Sequence, residues 1–456
     1  MTTTTSLYDQ FIALYREKET TQDEGWLKSI RETAFEAFAA KGFPTTKLED
    51  WRFTNILPFL KEDFHLHPGA ASLHGLRDAV HIPSLDAYEV ILKNGMLNED
   101  VSIPGVKILP LRTALKSNDL QPYLGRYIHT AKYPFAALNT ALFENGIVIE
   151  ADKNVVCDKP IHITHVYNAE EAVFIQPRVL IIAHKSSRIQ IVESLVVIGD
   201  KPLFINNVTE CYVAENAQAD QYNLQIAPAN TYLVNFRQTV QQSNSLYNNY
   251  TYSLPDAALI RNNLHLDLNG VNTESHLYGL YLAGGTQLTD NHTVVNHLFP
   301  NCMSNELYKG VLLDAARGVF SGRIYVHQDA QKTNAFQQNN NILLSNKATV
   351  DSKPQLEIFA DDVKCSHGST VGSLNKEALF YLQSRGIGEI AARNLLVRAF
   401  AFDVTNKIQI PAIREYIEKL INSQLRFRNF LLKSELTMSR VPPDHQILKG
   451  CTHLNN

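Results

Sequence analysis

The feature that most constrains this chain is a rhythm. Between about Ala136 and Gly372, short β-branched and apolar runs follow one another, separated by clusters of Gly, Asn, Asp and Ser at intervals of roughly 10–14 residues. Val179-Leu180-Ile181-Ile182, Ile189-Gln190-Ile191-Val192, Leu277 to Leu282, Gly310-Val311-Leu312-Leu313 and Arg323-Ile324-Tyr325-Val326 are such runs. They predict many short strands. A closed barrel, a sandwich and a stacked solenoid all produce this rhythm, but about 230 residues of it exceeds an ordinary single sandwich. Asparagines recur at Asn262-Asn263, Asn291, Asn305 and Asn339-Asn340-Asn341. They are expected at turns, where side-chain amides bond local backbone or stack between successive coils. The expected core is therefore a parallel β-solenoid, although no strict sequence repeat is visible.

Helices are expected on both sides of it. Ser6 with Asp9 forms a capping box ahead of Leu7, Phe11, Leu14 and Tyr15, which recur at helical spacing. A second helix fits Trp26, Ile30, Ala34, Ala37 and Phe38, stopped by Gly42 and Pro44. Phe43 to Phe53 then reads as a connection whose aromatics, Trp51 above all, pin it to the core. After Gly372, Asn375 caps a helix over Lys376 to Arg385 and Gly386 ends it. Glu389 to Phe402 is apolar on most of its surface. Pro411 opens a last helix with a stripe of Ile413, Tyr416, Ile417, Leu420 and Ile421. The expected organisation is a mainly helical region over 1–135, a β-solenoid over 136–372, a helical domain over 373–433 and a weakly periodic tail over 434–456.

Chemistry concentrates in Phe359-Ala360-Asp361-Asp362-Val363-Lys364-Cys365-Ser366-His367-Gly368. On a strand, Cys365 and His367 project to one side while Lys364 and Ser366 point away. A thiolate and a neutral imidazole suit zinc, copper or an iron–sulfur cluster better than magnesium or calcium. Two ligands do not close a site, so the rest of the shell must come from elsewhere in the fold or from a second chain. A buried thiol beside a hydrogen-bonded histidine has the same spacing.

Other pairs are weaker. His292 and His297, and likewise His162 and His165, differ by an odd number and so face opposite ways on a regular strand, which separates them and leaves Cys302 without a partner site. A Cys-His nucleophile pair, with Asp361 or Glu357 orienting the base along the same strand, is one enzyme alternative. A carbohydrate-active or carbohydrate-binding β-helix is another, but such proteins are commonly secreted.

Composition narrows the field. A net charge of −4 in 456 residues supplies no phosphate-neutralising field, so nucleic acid is not an expected partner. The five cysteines, Cys157, Cys211, Cys302, Cys365 and Cys451, are scattered without a Cys-x-x-Cys pair, which argues for a reducing compartment. No apolar signal core, arginine-rich presequence or run of about 18 apolar residues occurs, so a cytoplasmic protein without membrane spans is expected. The absence of Gly-x-x-x-x-Gly-Lys-Ser/Thr leaves no ATP site of its own.

The run through Cys365 to Gly372, with Leu379-Phe380-Tyr381-Leu382 and Ser384-Arg385-Gly386-Ile387, closely resembles the SufB/SufD family of iron–sulfur cluster assembly scaffolds. Further matching pieces are Gly42-Phe43-Pro44-Thr45-Thr46, Glu49-Asp50-Trp51-Arg52, Phe135 to Asn139, Pro177-Arg178, Glu193-Ser194 and Asp290-Asn291-His292-Thr293. The Glu-Asp-Trp-Arg-Phe-Thr segment, and the lack of an N-terminal cysteine cluster, make the chain look like the D paralogue. This resemblance implies a right-handed parallel β-helix between helical regions. It also implies pairing with a SufB-like subunit through the β-helix, or with a second copy as a homodimer. A SufC-like ATPase would dock on the C-terminal helices, and sulfur-delivery proteins would feed the complex. It implies that the family's metal residues fall on His367 and Cys365, holding a nascent cluster at the subunit interface as a non-catalytic scaffold. Glu389, Leu395, Leu396 and Phe400 are the residues expected to meet the ATPase, because Glu389 to Phe402 carries more apolar surface than one face needs. The family's assembled complex has also been linked to flavin, for which this chain shows no dinucleotide-binding glycine pattern.

Overall fold

A left-handed backbone residue recurs once per coil: Asn154, Ser186, Asn216, Asn244, Asn272, Asn301 and Lys332 all have φ between 57° and 64°. Asparagine tolerates this conformation better than most residues because its short amide bonds the local backbone. The turns recur every 28 to 32 residues, and between them the chain lays down two strands per coil. The computed structural model describes residues 6–18, 25–66, 80–97, 99 and 101–438, with side chains as far as Leu425.

The strands form two long sheets facing each other across the solenoid. The first face runs through Met96–Leu97, Tyr88–Lys93, Ile161–Asn168, Arg188–Ile198, Gln218–Gln225, Leu246–Ser253, Glu274–Ala283, Met303–Leu312, Asn334–Leu343 and Lys364–Gly372. The second runs through Val106–Pro110, Gly146–Ala151, Arg178–Ala183, Leu203–Val213, Thr231–Gln241, Leu259–Leu268, Leu288–His297, Arg317–Val326 and Thr349–Ile358. Successive coils pair in parallel and in register, so each residue stands over its counterpart one coil earlier. The expected mainly β architecture of a parallel solenoid between helical regions is what the chain adopts.

The asparagines singled out in the sequence do not occupy the turns. Asn262 and Asn263 lie on Leu259–Leu268, Asn291 on Leu288–His297, Asn305 on Met303–Leu312, and Asn339 to Asn341 on Asn334–Leu343. Four of the strand asparagines form a ladder along the second face. Asn207 donates to Asn235 at 3.4 Å, Asn235 to Asn262 at 2.9 Å and Asn262 to Asn291 at 3.0 Å. In-register stacking lets each amide donate to the next coil's oxygen, which satisfies polar groups that burial would otherwise penalise. Much of the rest of the lumen is apolar, with Ile163, Ile191, Leu266, Leu277, Val295 and Ile324 in one continuous cluster. Gly279 keeps its place because a Cβ there would fall 2.1 Å from the Tyr308 ring.

Helices cover the outer surfaces. The helix Leu7–Lys18, opened by the Ser6 and Asp9 capping box, and the helix Gly25–Lys41, closed by Gly42 at φ +62°, pack Phe11 and Phe38 with Trp51, Phe135, Phe174 and Phe204. Trp51 sits in a short 3-10 turn, Glu49–Trp51, and is buried as expected. On the other side, Glu389–Thr405 and Pro411–Met438 set Val397, Ala401, Ile413, Ile417 and Ile421 against the outward tyrosines Tyr222, Tyr250 and Tyr252.

Neither boundary of the solenoid is a clean break. Tyr88–Lys93, inside the region expected to be mainly helical, pairs in parallel with Ile161–Asn168 and extends the first face. At this N-terminal end Met96–Leu97 and Val106–Pro110 pair antiparallel with their neighbours, ending both sheets in short strands. The last helix continues through the expected boundary at 433/434 to Met438, while Cys451 and the rest of the tail lie outside the described residues.

Candidate functional site at the open end of the solenoid

Among the described residues, the C-terminal end of the solenoid has no such closure. Lys364–Gly372 is hydrogen-bonded on one side to Asn334–Leu343 and, among the described residues, carries no strand on the other; Thr349–Ile358 ends the second face in the same way. Both present a row of backbone N–H and C=O groups, a surface that invites pairing with another chain. Apolar side chains surround it: Phe359 is 56% exposed and Val371 50%, with Phe336 and Ile358 also exposed.

Cys365 and His367 lie on that last strand. Cys365 stands over Ala335 and His367 over Gln337, and both of these partners are buried lumen residues. The two therefore share the inward-facing column, as their spacing predicts. Cys365 is half-buried against the lumen cluster, and burial pushes its thiol above the ordinary range despite a backbone hydrogen bond from Ala335 that opposes the shift. It is thus mostly a neutral thiol until a metal or a cation draws off its proton. His367 is exposed, because no further coil among the described residues covers it.

No group of three or more His, Cys, Asp or Glu residues that could hold a metal ion occurs among the described residues. Cys365 and His367 present two donors at an edge, which is half of a soft-metal shell. The nucleophile alternative loses its third member. Glu357 lies on Thr349–Ile358 in the opposite sheet and pairs with Arg323 at 3.1 Å, and Asp361 lies in the turn before Lys364, so neither continues along the strand of His367.

The other histidines serve the fold. His292 faces outward to Asp290 at 2.9 Å, while His297 is buried against Ser304 Oγ at 2.9 Å, where burial lowers its pKa to about 3. Cys302 is fully buried and donates to the Gly270 carbonyl at 3.2 Å. His162 contacts Glu89 at 2.8 Å outside the coil, and His165 lies 3.4 Å from Glu193 inside it.

The C-terminal helices divide the expected docking residues. Phe400 is turned toward the solenoid: the Lys309 ammonium lies 4.4 Å from its ring centroid and donates to its carbonyl at 2.9 Å. Leu396 is half-buried, and Glu389 is bound to Arg393 at 2.9 Å. Leu395 is exposed beside a groove that Glu389, Arg398, Leu313, Leu344 and Leu425 also line. The largest exposed aromatics belong to Lys376–Ser384, which buries none of its residues: Phe380 is 72% exposed and Tyr381 58%. Only position-by-position burial separates these from core aromatics, so the helical stripe could not.

No helix among the described residues is long and apolar enough to cross a membrane. Two family models match the chain: the SUF system FeS cluster assembly SufBD core domain over residues 165–400, and the SufBD protein N-terminal region over residues 5–163. Among curated relatives, an iron–sulfur cluster assembly SufBD family protein of Synechocystis is 28% identical over 417 residues, 88% of this chain and 91% of its own length. The iron–sulfur cluster assembly protein SufD of Escherichia coli is 28% identical over 391 residues, covering 84% and 90%. SufD of Bacillus subtilis is 25% identical over 438 residues, covering 92% and 98%. The core-domain match spans more than half of the chain and includes the solenoid coils up to and beyond Cys365 and His367, so this chain belongs to the SufBD family of the SUF iron–sulfur cluster assembly system.

Proposed function

We propose that this chain is a SufD-like scaffold subunit that pairs with a SufB-like paralogue through the open end of its solenoid and receives a nascent iron–sulfur cluster there as cargo. The observation that carries this reading is the coincidence, on one edge strand, of the free backbone edge with Cys365 and His367. An edge-to-edge partner would bring its own side chains against the same column and complete the ligand shell. A shell split between two chains holds its metal only while they are together, which suits a scaffold that must give up its product. His367 is the ligand in this reading and Cys365 its neighbour. A SufC-like ATPase docks on the C-terminal helices, with Phe380, Tyr381 and Leu395 as its contacts. Any flavin belongs to the assembled complex.

The test is co-expression with a SufB-like chain and a SufC-like ATPase, followed by anaerobic reconstitution with iron and sulfide. A ternary complex that develops the visible absorption of a cluster with wild-type chain, and loses it with His367→Ala at unchanged subunit ratio, supports the assignment. Equal cluster yield from the His367→Ala complex would sink it.

A further inference from the structure

Beneath the open end, the lumen changes character over three coils. Leu264 and Leu277 face each other as an apolar layer, and each is fully or nearly fully buried. One coil later their register partners are Thr293 and Glu306; the next coil replaces these with Gly322 and Gln337; the last presents Pro354 and His367. A column that begins at a buried carboxyl therefore ends at His367.

The two buried members are locked to each other. Gln337 Nε2 donates to Glu306 Oε2 at 2.6 Å, and Thr293 Oγ1 donates to the same oxygen at 3.2 Å. Glu306 and Gln337 are 1% and 2% exposed. Gly322 makes room for the amide: a Cβ there would lie 2.3 Å from Gln337 Nε2. Because the amide nitrogen is committed downward, the amide oxygen is free, and Gln337 Oε1 is a buried acceptor without a hydrogen-bond partner. Leaving such an oxygen unpaired costs free energy, so it calls for a donor. The residue in register one strand spacing further on, about 4.8 Å along the solenoid, is His367.

We infer that Glu306 and Gln337 are positioning residues for His367: Glu306 orients the Gln337 amide so that its oxygen accepts one imidazole N–H, leaving the other ring nitrogen's lone pair aimed at the metal. Metal-ligating histidines usually donate their second ring nitrogen in this way, which fixes both tautomer and ring direction. The inference rests on His367 being the ligand, and it assigns the tautomer before any metal or partner is present.

That separation makes it testable on the isolated full-length chain. Ring-nitrogen NMR on protein labelled with ¹⁵N-histidine, at about pH 8.5 where an ordinary imidazole is neutral, reads the tautomer directly. The His367 signal is identified by its loss in His367→Gln. Wild type is expected to show one tautomer. Gln337→Leu, which keeps the volume but removes the acceptor, should give a mixture, and so should Glu306→Leu. Glu306→Gln keeps an acceptor for Gln337 Nε2 and should preserve the single tautomer, which also guards against a general folding defect. A wild-type His367 that exchanges between tautomers as freely as in Gln337→Leu would overturn the inference. A fixed tautomer together with normal cluster yield from His367→Ala would instead leave the Gln337-to-His367 hydrogen bond standing, but overturn the ligand role proposed above and with it the aim of the other ring nitrogen at a metal.

Discussion

The Arg261 guanidinium stacks on the Trp51 ring at 3.8 Å from its centroid while pairing with buried Asp290, fastening the Glu49–Trp51 turn to the solenoid wall. Arg261 also donates to the Asp50 carbonyl at 2.8 Å, and Thr54 donates to Asp290. The connection around Trp51 is thereby anchored to two neighbouring strands, Leu259–Leu268 and Leu288–His297.

Arg261→Ala should cost on the order of 3–5 kcal/mol, because it strands the Asp290 charge in the interior. Burial alone would raise the Asp290 pKa, but the Arg261 charge and contacts from His292 and Thr54 hold it near 2. A carboxyl depressed below its unfolded value of about 3.9 stabilises the fold above that pH and loses the contribution as pH falls toward 2. Urea titrations at several pH values should show this acid-limb loss in wild type and its disappearance in the Arg261→Ala, Asp290→Asn double variant.

Glu306 has the opposite sign. Burial raises its carboxyl to about 7, against smaller opposing effects of Gln337 and Thr293. A carboxyl whose folded pKa lies above its unfolded value of about 4.3 favours folding at low pH, and that contribution is lost as pH climbs toward 7. Glu306→Gln should flatten the decline between about pH 4.5 and 7 and be more stable than wild type at pH 8, by up to roughly 3 kcal/mol. Denaturant midpoints unchanged between the two at pH 8 would show that the carboxylate is accommodated at no cost.

Cys365→Ser should lower cluster yield on the reconstituted complex less than His367→Ala, which is expected to lower it at least about tenfold. The thiol is partly committed to the lumen cluster and its proton is held tightly. Iron and sulfide quantified per complex would decide the order. Complete loss with Cys365→Ser would make the thiol an essential ligand or persulfide carrier.

Phe359→Asp and Val371→Asp should weaken association at the open end by about ten- to a hundredfold each without lowering the melting temperature, since both side chains are half exposed. Sedimentation of the isolated chain, expected to dimerise through the same edge, gives the measurement. A wild-type chain that stays monomeric at high concentration would exclude self-pairing.

Phe380→Asp and Tyr381→Asp should abolish ATPase binding while leaving SufB-like pairing intact. Removing everything after Gly372 is a poorer test, because Val397, Ile413 and Ile417 cover the solenoid's Tyr222 and Tyr250 and their loss would bare that face. Retained ATPase binding in both variants would move the contact to Leu395 and the neighbouring groove.

The sequence revealed the solenoid through its strand rhythm, and through parity the shared face of Cys365 and His367, because both are local patterns. It concealed whatever depends on coil register. Glu306, Gln337 and His367 are 31 and 30 residues apart, and nothing marks them as one column until the coil length is known. The asparagines misled for the same reason: Asn262 and Asn291 are turn formers by propensity, but stacking in register gives their amides partners on strands. Phe400 and Phe380 look alike as helical aromatics, and only the placement of Lys309 draws the first inward.

The two ends of the solenoid are unlike, and this sets a limit on growth. The short antiparallel strands Met96–Leu97 and Val106–Pro110 offer no long parallel template, whereas Lys364–Gly372 and Thr349–Ile358 do. A unit with one adhesive end and one inert end acts as its own chain terminator. If the proposed pairing runs through this end, joining two such units would consume both adhesive ends, so assembly would stop at a pair rather than propagate into a fibre, whichever paralogue supplies the second unit.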